Sequence, residues 1–280
     1  MKRNKNATPA VFVHGAFCGG WAFEGFRQPF EAMGFETHAP TLPHHEAGAD
    51  LEQLAQTGLK DYAQSVVDYI RPLRAPPVLI GHSLGGLVVQ LAAMHAPVAA
   101  LVLLAPSAPW GVPPTTLDEH SNQFGLTLLG DYWRRPIPPD YRVARATTLD
   151  RLSREDARAA FARFVPESGR AIRETLQWWS DTSTASQAPV YRISAPVLGV
   201  AGGKDRVNPA STVHRIITRF PGGQADYHEF PEMSHWLIGE AESPQVATAA
   251  LNWLEARKVS SRQSKRRQLS LFGWGERPQA

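Results

Sequence analysis

The sequence predicts an α/β protein, a mostly parallel sheet of about six strands interrupted by a helical insertion. Three observations carry that expectation. Six short apolar runs alternate with longer helix-like patterns, one helical pattern is apolar on a single face while another is apolar almost all round, and about eighty central residues break the alternation. Alternation of this kind needs crossover connections, which lay helices on both faces of a parallel sheet.

The strand candidates, in chain order, are AVFVHG (10–15), FETHAP (35–40), PVLIGH (77–82), AALVLLAP (99–106), PVLGVAG (196–202) and ADYHEF (225–230). Between the second and third, LKDYAQSVVDYIRPL repeats apolar residues at Tyr62, Val66, Tyr69, Ile70 and Leu73, the stripe of a helix with one face in the core. SLGGLVVQLAAMHA, after the third, is apolar nearly all round, as a helix packed on a central strand should be. From Pro106 to Pro189 no convincing strand occurs. Here Ser153 is placed to cap SREDARAAFARF, and Pro166 and Glu167 take a similar opening position in PESGRAIRETLQWW. Ligands of open α/β sheets sit beyond the carboxyl ends of the strands, so an insertion leaving after the fourth strand is expected to roof that place. The expected organisation is a core over residues 1–257, a helical cap at about 107–188, and a disordered basic tail at 258–280.

With 280 residues, 43% of them hydrophobic, the chain can bury one large core, and its formal net charge of +3 calls for neither a nucleic acid nor a membrane partner. The charge is unevenly placed. Seven Lys/Arg and one acid lie from Arg257 onward, which leaves 22 basic and 25 acidic residues before them. Cys18 is the only cysteine, so no disulfide forms within the chain and a reducing compartment suits it. MKRNKNATPAVFVHG opens basic, but its apolar run is too short for a signal peptide, and no window reaches the roughly 20 apolar residues of a membrane span. A cytoplasmic protein is expected.

The chemistry starts at Gly81-His82-Ser83-Leu84-Gly85, where a buried strand feeds straight into a buried helix. A G-x-S-x-G turn in this context is a nucleophile elbow. Glycine admits close backbone neighbours, and the strained turn lifts the serine oxygen above the sheet at a helix amino end. A serine hydroxyl needs a base to take its proton and a third group to hold the base. Asp205 in GGKDRVNP follows the fifth strand and His235 in PEMSHWL follows the sixth, so both lie at carboxyl strand ends on the rim of Ser83, in the order Ser, Asp, His. Glu232 is a nearby rival acid, ranked below Asp205. The Leu84 amide and the Ala16 amide in HGAFCGG are the candidate oxyanion donors.

With HGAFCGGW, GHSLGG, GGKD and MSHW in place, the chain resembles α/β-hydrolase-fold enzymes of the serine esterase type over about residues 8–256. The HGA-x-x-GGW opening is similar to the compact clade that includes plant methylesterases and hydroxynitrile lyases. Two departures matter. Many relatives carry Asp-Leu-Pro-Gly-His-Gly after the second strand, where this chain has TLPHHE, and the lyases place a lysine after the catalytic histidine, where it has Trp236. The resemblance implies a small-molecule ester substrate and two-step acyl transfer without a cofactor. Thioesterases, lactonases, C–C hydrolases and acyltransferases use the same triad, and a non-catalytic receptor could share the fold.

The remaining candidates are weaker signals. Phe17, Trp110, Trp133, Trp178 and Trp236 are expected to line an apolar pocket suited to an ester with a bulky apolar or aromatic part. His82 and His14 are read as packing and loop-bracing residues, and Cys18 as a small packing residue. The HHE triplet at 44–46 gives no shared helix face for a metal, so no metal site is expected. In the tail, Gln268-Leu269-Ser270-Leu271-Phe272 resembles the short peptide by which bacterial replication and repair proteins dock on the DNA sliding clamp, with Leu271 and Phe272 as apolar anchors and Gln268 and Leu269 beside them. That reading makes the protein partly a clamp-associated interaction module and stands level with an idle tail; a basic arm touching nucleic acid or an acidic membrane ranks below both.

Overall fold

The computed structural model describes residues 7–128 and 130–259. The clamp-like peptide, Gln268, Leu269, Leu271 and Phe272 included, and nearly all of the expected tail lie outside the described residues. Among the described residues eight strands occur: β1 (Pro9–Val13), β2 (Glu36–His38), β3 (Val78–His82), β4 (Ala100–Leu104), β5 (Pro136–Ile137), β6 (Glu167–Ser168), β7 (Val197–Gly202) and β8 (Ala225–Phe230). Six of them form one sheet in the order β2-β1-β3-β4-β7-β8, with every neighbouring pair parallel. All six strands read from the sequence are these six.

The helices are α1 (Gln28–Ala32), α2 (Leu51–Gln56), α3 (Leu59–Ile70), α4 (Leu84–Ala93), α5 (Leu117–Thr127), α6 (Tyr141–Ala146), α7 (Arg154–Phe161), α8 (Gly169–Leu176), α9 (Ala210–Ile217) and α10 (Ser243–Ala256). Side chains of the central strands alternate between two apolar layers. Phe12, Ile80, Val102 and Val200 face one, with Leu254 of α10; Val11, Leu79 and Leu101 face the other, with Val66 of α3 and Leu87 of α4. Both faces are therefore dry, which is why these strands read as unbroken apolar runs. Every residue of α4 is buried, whereas α3 buries Leu59, Tyr62, Val66 and Ile70 and leaves Tyr69 at the surface. Tyr69 was expected on the buried stripe; its hydroxyl instead meets His38 Nδ1 at 3.1 Å.

The segment between β4 and β7 corrects the sequence reading in two places. It contains α5 to α8, but also a two-residue antiparallel pairing of β5 with β6, too short to register as an alternating run. Glu167 is in β6 rather than at a helix opening, and Ser168 caps α8 by accepting from the Ala171 amide at 3.2 Å. Ser153 caps α7 as its position predicts, accepting from the Asp156 amide at 3.0 Å. No helix among the described residues is long and apolar enough to cross a membrane.

Chain order places the loops that matter. The strand sequence reverses direction between β1 and β3, and the loops leaving β1, β3, β7 and β8 all rise from the carboxyl edge of the sheet. The loop after β1 is held down by an aromatic cluster: Phe12 lies 5.2 Å from both Phe23 and Phe30, ring centre to ring centre. Such pairs contribute about 0.5–1.5 kcal/mol each beyond their burial.

Candidate active site

Ser83 stands between the last residue of β3 and the first of α4 with φ 53° and ψ −120°. A non-glycine residue in such a conformation costs roughly 1–3 kcal/mol, tolerated only where the surroundings enforce it. Here they do. A Cβ on Gly81 would lie 2.3 Å from the Gly85 carbonyl oxygen, and one on Gly85 would lie 2.2 Å from the Val13 carbonyl oxygen, so strand, turn and helix close to backbone contact. Gly85→Ala is expected to destabilise the fold by about 3 kcal/mol, because the atoms met are main chain and cannot swing aside; chemical denaturation of the variant measures it.

The three sequence-predicted residues converge although 122 and 30 residues separate them along the chain. His235 Nε2 lies 2.9 Å from Ser83 Oγ, and His235 Nδ1 lies 2.8 Å from Asp205 Oδ2. The second oxygen, Asp205 Oδ1, accepts from the amides of Val207 at 2.7 Å and Asn208 at 2.9 Å, which fixes the carboxylate plane. The Asn208 side chain donates in turn to the Ala105 carbonyl at 2.8 Å, tying the loop after β7 to the end of β4. Ser83, Asp205 and His235 are all buried. Glu232, the rival acid, points away, its side chain 73% exposed and 3.9 Å from Lys204 Nζ.

Two neighbouring histidines do the bracing the sequence suggests. His82 Nε2 donates to the His235 carbonyl at 2.8 Å, and burial, reinforced by the His235 ring, pushes its pKa down to about 3. His14 Nδ1 donates to the Gly15 carbonyl at 2.8 Å while Nε2 accepts from the Leu42 amide at 2.9 Å; burial and then His45 lower its pKa to about 3. Both rings are neutral, so they add no charge to the site.

A cavity of about 770 Å³ opens over Ser83 and His235, with Ala16 and Leu84 on its wall. Leu84 is the first residue of α4, where the helix itself provides no acceptor for an amide. Phe17, Trp178 and Trp236 line this cavity beside Ile137, Val143 and Ile172 from the β4–β7 segment. Trp110 and Trp133 do not, which corrects the expectation for both. Trp110 packs edge-on against Trp178 with its ring 5.4 Å away, and Trp133 is half-buried against Tyr132, under the Arg173 guanidinium at 4.5 Å.

Sequence reasoning missed a buried carboxylate beside the site. Glu167 Oε2 accepts from His45 Nε2 at 3.0 Å and from the Phe17 amide at 3.2 Å, while Oε1 accepts from Tyr62 Oη and from the Ser168 amide, each at 2.7 Å. His45 Nδ1 also faces an acceptor, the Pro43 carbonyl at 2.9 Å, so both ring nitrogens donate. Burial disfavours charge on each partner, yet the attraction and hydrogen bonds between them prevail: His45 is held above its ordinary pKa and Glu167 below its own. The HHE triplet was the one visible signal, and its second histidine, His45, pairs with the Glu167 carboxylate.

Comparison with known proteins agrees with this fold. A pyrethroid hydrolase of Sphingobium wenxiniae is 34% identical over 264 residues, which span 87% of this chain and 92% of that protein. Among solved structures, the Arabidopsis methylesterase MES16 superposes with a TM-score of 0.67 at 16% identity, covering 89% of this chain and 99% of its own. A thermophilic esterase from Thermogutta terrifontis superposes with a TM-score of 0.66 at 17% identity over 91% of each chain. At those identities the structures speak to the fold alone, but the alpha/beta hydrolase family model matches residues 10–251, nearly the whole described sheet and the elbow within it. On that match and on its full-length relative, this chain belongs to the alpha/beta hydrolase family.

Proposed function

We propose that this α/β-hydrolase, an enzyme of the carboxylic-ester hydrolase type, works by acyl transfer through Ser83, His235 and Asp205. The single observation that carries the reading is the continuous line Ser83 Oγ, His235, Asp205, with contacts of 2.9 and 2.8 Å, at the floor of a cavity. Ser83 Oγ attacks the ester carbonyl carbon as His235 Nε2 takes its proton, and Asp205 holds the proton on Nδ1 and stabilises the imidazolium. The oxyanion that forms is received by the Ala16 and Leu84 amides. His235 then protonates the departing alkoxide, and water, deprotonated by the same nitrogen, releases the acid.

Residues 107–188 act as a cap in this scheme. They supply Ile137, Val143, Ile172 and Trp178 to the cavity wall, and Phe17 and Trp236 meet them from the core. A volume of about 770 Å³ with apolar and aromatic walls suits an ester carrying a bulky apolar or aromatic group. The Sphingobium relative, a pyrethroid hydrolase by name, favours the same class. The test is a panel of esters graded in size. Longer aliphatic and aromatic esters should exceed acetate esters in kcat/KM by about tenfold or more, since each added methylene in an apolar pocket is worth roughly 1–3 kcal/mol; faster turnover of the acetates rejects the substrate class.

A further inference from the structure

We propose that Glu167, reaching in from the cap, is the positioning residue of the oxyanion loop. The inference rests on the reading of Ala16 as an oxyanion donor and extends it to the group that keeps that donor aimed. Phe17, the next residue, has φ 64°, in the left-handed region that an L side chain with a Cβ avoids. Both of its main-chain polar groups are gripped by one short stretch of the cap: its amide donates to Glu167 Oε2 at 3.2 Å, and its carbonyl accepts from the Val165 amide at 2.9 Å.

A carboxylate free to rotate could not hold a strained residue. Glu167 is not free: His45 from the loop after β2, Tyr62 from α3 and its own neighbour Ser168 occupy the rest of its oxygens, and its side chain has no exposed surface. Three parts of the molecule orient it, and it orients Phe17. Without the grip Phe17 relaxes toward negative φ, which turns the adjoining peptides and swings the Ala16 N–H off the point where charge develops. An oxyanion donor acts on the transition state more than on the bound ester, so the loss falls on kcat.

The experiment compares Glu167→Gln and Tyr62→Phe with the unaltered enzyme, and with Ser83→Ala as control, on one good ester substrate. Glutamine offers a single oxygen and sets an N–H against two of the four donors; Tyr62→Phe removes one donor and keeps the ring in the core. Glu167→Gln is expected to lower kcat between about tenfold and 100-fold with KM within threefold. A trifluoromethyl ketone, which forms a tetrahedral adduct with an oxyanion, should bind more weakly by the same factor while the product alcohol binds as before. Tyr62→Phe should show the same pattern at about threefold, and decides alone if circular dichroism finds Glu167→Gln unfolded.

A folded variant with unchanged kcat, a rise in KM without loss of kcat, or equal weakening of the ketone and the alcohol each overturns the proposal. The control separates the two readings. If Ser83→Ala retains turnover, the acyl-transfer scheme and this inference fall together; if it is inactive while Glu167→Gln and Tyr62→Phe match the unaltered enzyme, only the role of Glu167 falls.

Discussion

Replacing Ser83 with alanine is expected to lower kcat by about 10⁶ while leaving the fold and its melting temperature in place. In the proposed scheme, removing Ser83 Oγ leaves only substrate binding and the oxyanion donors, and in triad hydrolases that remainder is a small fraction of the rate. Stability should not follow activity, for a local reason. The strain at position 83 comes from φ 53° and falls on any residue with a Cβ, so alanine bears the same backbone penalty as serine. The hydroxyl lost makes one hydrogen bond, to His235, at the wall of a cavity that water can enter. Turnover and thermal melting of the same preparation measure both halves, and a fluorophosphonate should label the unaltered enzyme but not the variant. A Ser83→Ala enzyme that keeps more than about 1% of kcat would mean another nucleophile.

Asp205→Asn should reduce kcat by about 10⁴ with nearly normal stability. Asparagine retains one oxygen, which can still receive the Val207 and Asn208 amides that Asp205 Oδ1 receives at 2.7 and 2.9 Å, so the loop keeps its shape. The other position becomes an NH₂ facing His235 Nδ1. The imidazole answers by carrying its proton on Nε2, and a protonated Nε2 donates to Ser83 Oγ where a base must accept. The defect is thus one of tautomer, and KM should stay near its original value. A loss below tenfold would show that Asp205 is not the orienting acid. Glu232 makes a poor substitute, being solvent-exposed and turned toward Lys204.

Much of the site was legible because its signals are local. Ser83 announces itself through glycines whose spacing matches a required close approach, and Asp205 and His235 each follow a strand whose apolar run marks where it ends. The cavity wall was less legible. Phe17, Trp178 and Trp236 line it, but Trp110 and Trp133, aromatic as well, pack elsewhere, since an aromatic ring in the segment between β4 and β7 is equally served by a cavity or by a neighbouring ring or guanidinium. Glu167 was misread for a related reason: an acid after a proline suits the first turn of a helix, and nothing nearby in sequence names its partners.

By itself the sequence determined the six parallel strands, the elbow at Ser83 and the order of the three residues that meet there, because residue period, glycine sterics and strand ends are properties of a few neighbouring positions. Only the tertiary structure decided that His45, Tyr62 and the Phe17 amide would close around Glu167, which lies 122, 105 and 150 residues from them along the chain. A buried charge takes whichever partners the fold brings to it, and burial at that distance in sequence leaves no local pattern to read.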